Sequence, residues 1–264
     1  MPFELWFYLI DHRLLALVMV ALLLAASEIG YRAGARRKDA SDSLRSLMSG
    51  IGAAMLGILG LLLGFTLSMA IARWDVRRDV IVDESNAIGT LWFRAGLLPE
   101  PLCGDLRSAL REYTDTRIAL GGSRGDLDAL RAAQSKGEAL HAKMWSIVER
   151  ADQPGTSPAI LSTLITATNE LIDLQELRVA SIENFLPAFL ILLLPSVAAA
   201  ALAALAWSFG ATSDRGRTPI FLLALLICAV VLLIMDVNRP QRGQITVSLT
   251  TLERVQESIA SSKP

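Results

Sequence analysis

The stretch from residue 47 to residue 72, LMSGIGAAMLGILGLLLGFTLSMAIA, decides the fold because none of its 26 side chains is charged. A membrane core about 30 Å thick is crossed by roughly 20 apolar residues of α-helix. Residues 184–213 and 218–235 are equally free of charge, and residues 14–27 form a shorter run of the same kind. The sequence therefore predicts an integral membrane helical bundle with four transmembrane helices.

The first apolar run has two interpretations. Residues 25–27, Ala-Ala-Ser, offer a small-residue cleavage site of the kind that ends a signal peptide. The leader, however, carries Glu4 and Asp11 against a single Arg13, whereas a signal peptide has a positively charged leader. We therefore expect that the first helix is retained, with cleavage as the alternative.

Composition excludes several classes of function. The net charge of −1 gives no basic surface for nucleic acid, and no nucleic-acid-binding motif is present. The two histidines and two cysteines form no metal-binding pattern, so we expect neither a metal nor a cofactor. The motifs of P-loop enzymes, zinc proteases and serine hydrolases are absent, and no catalytic residue is predicted. The apolar runs also lack buried acids, lysines and arginines, which disfavours a proton-coupled transporter.

The middle of the chain is polar and has the 3.6-residue periodicity of amphipathic helices, interrupted by proline and glycine. The sequence thus predicts an all-α protein with a soluble helical insert between spans two and three. We divide it into a first transmembrane pair (1–72), the insert (73–183), a second transmembrane pair (184–236) and a polar C-terminal tail (237–264). The insert either extends the bundle or serves as a ligand-sensing domain.

The second apolar run has one smooth face and one bulky face. Its smooth face carries small residues three or four positions apart, namely Ala53, Gly57, Gly60, Gly64 and Ser68. Small residues in this register let a second helix approach closely in lipid, so Gly60, Gly64 and Ser68 are predicted packing positions. The neighbouring face is bulky and apolar, with Ala54, Ile58, Leu61, Phe65 and Met69.

The end of this run carries a resemblance to a known family. Gly64-Phe65 is followed, after an apolar stretch, by Arg73-Trp74. This spacing resembles the second transmembrane helix of bestrophin channels. The order of two spans, a helical insert and two further spans is similar as well.

The resemblance is closer to the bestrophin-like domain family of bacterial membrane proteins, and it covers nearly the whole chain from about Ser46. Its marks are Leu62-Leu63-Gly64-Phe65, the block Asp83-Glu84-Ser85-Asn86-Ala87-Ile88-Gly89-Thr90, Arg94, Leu97-Leu98-Pro99, Asp236-Val237-Asn238-Arg239-Pro240 and Gly243. We expect Asn86, Gly89 and Arg94 to support helix packing and hydrogen bonding near the membrane surface. The roles of Arg73, Trp74, Glu84, Asn238, Arg239 and Pro240 stay open.

The resemblance implies a pore. In bestrophins the second helix lines the pore neck with apolar side chains one turn apart, and the matching positions here are Gly57, Leu61 and Phe65. A narrow apolar ring can close a pore by dewetting. Gly57 departs from the pattern because it offers no side chain to such a ring. Bestrophins also carry an acidic calcium-binding run after the last span, but residues 240–245 contain no acid, so calcium gating is not expected.

Two functional classes follow from these observations. The first is an oligomeric channel for small ions, a pentamer by resemblance. The second is a non-conducting membrane scaffold or sensor whose insert binds a partner. We expect a multi-pass protein of the cell inner membrane with the insert and termini in the cytoplasm, as the resemblance implies. The density of Lys and Arg in the two short loops favours the opposite orientation.

Overall fold

The computed structural model describes residues 11–122, 127–153, 156–212, 217–239 and 244–261. Within these ranges every regular element is a helix, which confirms the predicted all-α class. The helices are α1 (His12–Ala35), α2 (Asp42–Ala95), α3 (Leu102–Gly122), α4 (Leu127–Arg150), α5 (Pro158–Glu183), α6 (Ala188–Thr212), α7 (Arg217–Val237) and α8 (Thr250–Ser261).

Four of these helices are long and apolar enough to cross a membrane, as the sequence predicts. The candidate spans are Arg13–Ala35, Asp42–Ala95, Phe189–Thr212 and Arg217–Val237. The second of them is a single helix of 54 residues, about 80 Å long at 1.5 Å per residue. It is therefore far longer than the 26-residue apolar run that predicts it, and it continues through the Glu-Ser-Asn block of the sequence.

Local signals in the sequence set several helix ends. Asp11 caps α1, because its side chain accepts a hydrogen bond from the Arg13 backbone N–H at 2.7 Å. Ser157 precedes α5, and Pro158 occupies the first turn, where a missing N–H costs nothing.

The chain divides into two compact units. The first unit comprises Met1–Ala72 and Phe185–Arg239, and therefore holds α1, α6, α7 and the first part of α2. Its core is made of aliphatic side chains from all four helices, among them Leu23, Leu59, Leu202 and Val231. The second unit comprises Arg73–Asn184 and Pro240–Pro264.

Helices α1 and α6 of the first unit approach so closely that glycine is required at the contact. A Cβ atom added to Gly30 would overlap the backbone of Ala203, and one added to Gly34 would overlap the carbonyl oxygen of Trp207. From the other side, Gly210 lies against the backbone of Tyr31. The spacing of Gly30 and Gly34 is that of the GxxxG packing motif of membrane helices.

The second unit has an apolar core of its own. Ile88 and Leu91 of α2 pack with Leu106 and Leu110 of α3 and with Met144 of α4. Helices α5 and α8 complete this core with Leu164, Leu171, Leu252 and Ile259. The segment after the last span thus contributes two buried side chains to this unit.

Candidate functional site: an exposed helix face and a buried charge cluster

The apolar run of α2 is the least buried of the four candidate spans. Only 17% of its most apolar 18-residue stretch is buried, against 33%, 39% and 50% for the corresponding stretches of the other three spans. The exposed side includes the predicted neck positions: Leu61 is 60% exposed and Phe65 is 62% exposed, and Gly57 is exposed beside them. A single chain therefore leaves this face of α2 open to lipid or to another protein chain.

The predicted packing glycines lie on the same open surface. A Cβ atom at Gly57, Gly60 or Gly64 would have no heavy atom within 4 Å among the residues that the structure describes. Ser68 is exposed as well. Among the described residues of one chain, nothing approaches Gly60 or Gly64 closely, so helix packing at Gly60, Gly64 and Ser68 stays a prediction.

The motif residues Asn238 and Arg239 lie in the first unit. Asn238 is buried, and its side-chain oxygen accepts a hydrogen bond from the backbone N–H of Leu186 at 3.3 Å. Arg239 is 2% exposed. Pro240 lies outside the described residues. The Asn238 amide thus ties the end of α7 to the segment that leads into α6.

The motif residues between Arg73 and Arg94 lie in the second unit. Arg73 Nε donates to Asn184 Oδ1 at 3.2 Å, and Trp74 is half-buried. Arg94 donates from Nη1 to the carbonyl oxygen of Thr163 at 2.7 Å, which joins the end of α2 to α5. Asn86 is exposed and Gly89 is half-buried.

Glu84 is the centre of a buried charge cluster in the second unit. Its Oε1 accepts hydrogen bonds from Tyr113 Oη at 2.7 Å and from Arg117 Nε at 2.7 Å. Its Oε2 accepts from Arg178 Nη1. All four side chains are buried: Glu84 and Tyr113 are 0% exposed, Arg117 1% and Arg178 3%. One carboxylate from α2 therefore binds groups from α3 and α5.

This cluster shifts the ionisation of its neighbours. Burial, followed by the negative charge of Glu84, raises the pKa of Tyr113 well above its usual value, so the phenol stays protonated and donates to Glu84. His141 lies beside Tyr113, with the two ring centroids 5.1 Å apart. Burial and the nearby Arg117 lower the pKa of His141 to about 4, although Glu84 acts in the opposite direction.

We expect His141 to make the second unit acid-sensitive. The unfolded chain binds a proton at a histidine pKa near 6.5, whereas the folded chain does not until about 4. Stability is therefore lost as the pH falls from about 6.5 to about 4, by roughly 2 kcal/mol between about pH 7 and about pH 5. Urea unfolding of the detergent-solubilised protein at the two pH values measures this loss.

The variant His141→Gln serves as the reference for this prediction, because it removes the titrating ring from beside Arg117, Glu84 and Tyr113. Its stability should change less between the two pH values than that of the parent. Equal pH dependence in both proteins would show that His141 is not the responsible group.

The comparison with known proteins identifies the family. The model of the bestrophin-like domain matches residues 2–252. The chain belongs to the bestrophin-like family. The resemblance that Gly64-Phe65, the Glu-Ser-Asn block and Asn238-Arg239 indicate in the sequence is thereby confirmed.

The fold of this bestrophin-like protein is also similar to a solved structure. A crystal structure described as that of a membrane protein superposes with a TM-score of 0.63 at 15% sequence identity. The match covers 94% of this chain and 99% of that one. At this identity the likeness shows the fold alone. No curated protein matches the sequence.

Sequence reasoning found one member of the charge cluster and missed the others. Glu84 is singled out by the family motif, whereas Tyr113, Arg117 and Arg178 belong to no quoted motif. The signal that could have found them is their register. Tyr113 and Arg117 lie one turn apart on the buried face of α3, and Arg178 follows the buried Leu171 and Leu174 of α5 at helical spacing.

Proposed function

We propose that this bestrophin-like membrane protein is an oligomeric channel for small ions, with a pore lined by α2 of each copy. The observation that carries the proposal is the open face of α2. Leu61 and Phe65 project from a helix that is the least buried of the four spans. Leu61 and Phe65 are one turn apart, so equivalent copies around an axis would form two successive apolar rings.

The glycines on α2 support the same assembly. A row of Gly57, Gly60 and Gly64 facing lipid would leave a shallow groove with poor van der Waals contact. The same row against a helix of a second copy allows close packing. We propose a closed ring of copies, five by the bestrophin resemblance, because a pore needs several equivalent helices about one axis.

The proposal extends to the membrane arrangement. Residues 73–183 would form a soluble insert, and the insert and both termini would lie in the cytoplasm of a cell with this protein in its inner membrane. We propose no enzymatic role. Selectivity between anions and cations is left open, because Arg73, Arg77 and Arg78 alternate with Asp75 and Asp79 at the end of the apolar run.

A non-conducting scaffold or sensor is the second candidate. The observation that favours it is the buried charge cluster of the second unit, since Glu84, Arg117 and Arg178 form a specific polar structure that the pore does not require. A sensor of this kind would conduct no ions in liposomes, and its second unit would bind a partner.

We expect Phe65→Ala to increase ion flux through the assembled protein. Removing the ring widens the neck and lets water remain in it, which lowers the cost of ion entry. Because Phe65 is 62% exposed in the single chain, the truncation removes little packing inside the fold. Flux is measured in proteoliposomes that hold a halide- or cation-sensitive dye, normalised to assembled protein.

Phe189→Ala is the matched control, because Phe189 of α6 is equally apolar and 63% exposed. Its flux should equal that of the parent. If the parent and Phe65→Ala both fail to pass any small ion tried, the scaffold or sensor replaces the channel as the proposed function.

A further inference from the structure

The second unit contains a cavity of about 480 Å³, which is within the size range of small-molecule sites. Two arginines, Arg77 and Arg178, form part of its wall, and both are 3% exposed. The remaining wall combines aliphatic and hydroxyl side chains with one acid and the end of α3, including Ile81, Gly122, Ser181, Thr246 and Glu253. Glu253 is exposed, so solvent screens its charge.

Among the described residues, the buried charges of the Glu84 cluster, which lies next to this cavity, do not balance. Arg117 and Arg178 both pair with Glu84, so two guanidinium groups share one carboxylate. Arg117 and Arg178 are 1% and 3% exposed, and a buried charge without a counter-charge is strongly unfavourable. Nη2 of Arg117 is buried and has no hydrogen-bond partner among the described residues.

Arg178 joins the cluster to the cavity. Its Nη1 donates to Glu84, its Nη2 lies 3.5 Å from the carbonyl oxygen of Arg117, and its side chain lines the cavity wall. Arg77 donates from Nε to the carbonyl oxygen of Ser181 and from Nη2 to that of Asn184, both at 3.0 Å. These bonds fix the guanidinium of Arg77 in the wall.

We propose that this cavity binds a small monovalent anion, either chloride or a short carboxylate, beside Arg178 and Arg77. The anion compensates the excess positive charge that Arg117 and Arg178 leave beyond Glu84. The site lies wholly within the second unit and is independent of ion conduction, so it holds whether the protein is a channel or a sensor.

Thermal unfolding of the full chain in detergent tests the site. Sodium gluconate is replaced stepwise by sodium chloride or by sodium acetate at constant ionic strength. A bound anion stabilises the folded state, so the unfolding temperature should rise saturably by about 2–4 °C with the preferred anion. A rise in unfolding temperature with chloride alone or with acetate alone identifies which of the two anions binds in the cavity. Identical unfolding temperatures in all three salts would overturn the proposal.

Two variant pairs locate the response in the cavity. Gly122→Glu places a negative charge at the wall, where an added Cβ atom has open space, and should abolish the rise. Gly122→Gln adds the same bulk without charge and should keep the rise in unfolding temperature.

Thr246→Trp blocks the exposed side of the cavity and should also remove the rise, whereas Thr166→Trp on the exposed surface of α5 should not. A full response in both Gly122→Glu and Thr246→Trp would overturn the proposed location.

Discussion

Glu84→Gln should destabilise the protein by about 3–5 kcal/mol, the largest effect that we expect of any single substitution. The variant keeps the shape of the side chain but leaves Arg117 and Arg178 buried without their shared carboxylate. The net buried charge of the cluster rises from +1 to +2. Loss of folded protein on expression, or a much lower midpoint in urea unfolding, measures the effect.

Asp83→Asn is the matched control, because Asp83 is the neighbouring acid on α2 and is exposed. It should leave stability within about 0.5 kcal/mol of the parent. A double variant separates charge from packing: Glu84→Gln with Arg178→Met returns the buried charge to +1. It should therefore be more stable than Glu84→Gln alone. If Glu84→Gln is as stable as Asp83→Asn, the cluster does not hold α2, α3 and α5 together.

Gly34→Val should lower the free energy of unfolding of the first unit by about 3 kcal/mol. The added side chain would collide with the backbone carbonyl oxygen of Trp207, so α1 and α6 would have to separate. Overpacking of this kind usually costs about 1–3 kcal/mol, and a clash with backbone lies at the upper end because rotamer changes cannot relieve it. The measurement is the unfolding temperature and the yield of detergent-solubilised protein.

Gly50→Val controls for the general effect of replacing a helical glycine with valine, because a Cβ atom at Gly50 has nothing within 4 Å among the described residues. This variant should fold nearly as well as the parent. Equal stability of Gly34→Val and Gly50→Val would show that α1 and α6 do not approach as closely as the structure has them.

The contrast between the two sets of glycines shows what the sequence could and could not predict. The row of Gly57, Gly60 and Gly64 is visible in the sequence, but the pattern does not say whether its partner lies in the same chain or in another one. Gly30 and Gly34 form the contact within the chain, and they were missed because they follow the first apolar run and stand beside Arg32 and Arg36. Their role depends on the position of α6, which local periodicity does not determine.

The second unit likewise has features that the sequence could predict and features that it could not. Helical periodicity and the Pro and Gly breaks were enough to predict its helices within residues 73–183, because the apolar positions of α4 and α5 repeat with the period of a helix. Helix α8 was not predicted, since it lies in the segment that the sequence indicates only as a polar tail. The cluster around Glu84 could not be predicted, because it joins residues as far apart as Glu84 and Arg178. Their meeting depends on tertiary packing, and an arginine on a partly apolar face is more often placed at the surface.

The mass of the detergent-solubilised complex, determined by native mass spectrometry, tests the proposed channel most directly. Every step of the proposal needs several copies of the 28.5 kDa chain around one axis. The proposal predicts a closed assembly of several chains, five by the bestrophin resemblance. It also predicts that Gly60→Leu and Gly64→Leu fold but assemble less, because their side chains meet nothing within one chain. A parent that has the mass of a single chain, or Leu variants that assemble as the parent does, would contradict a pore lined by α2.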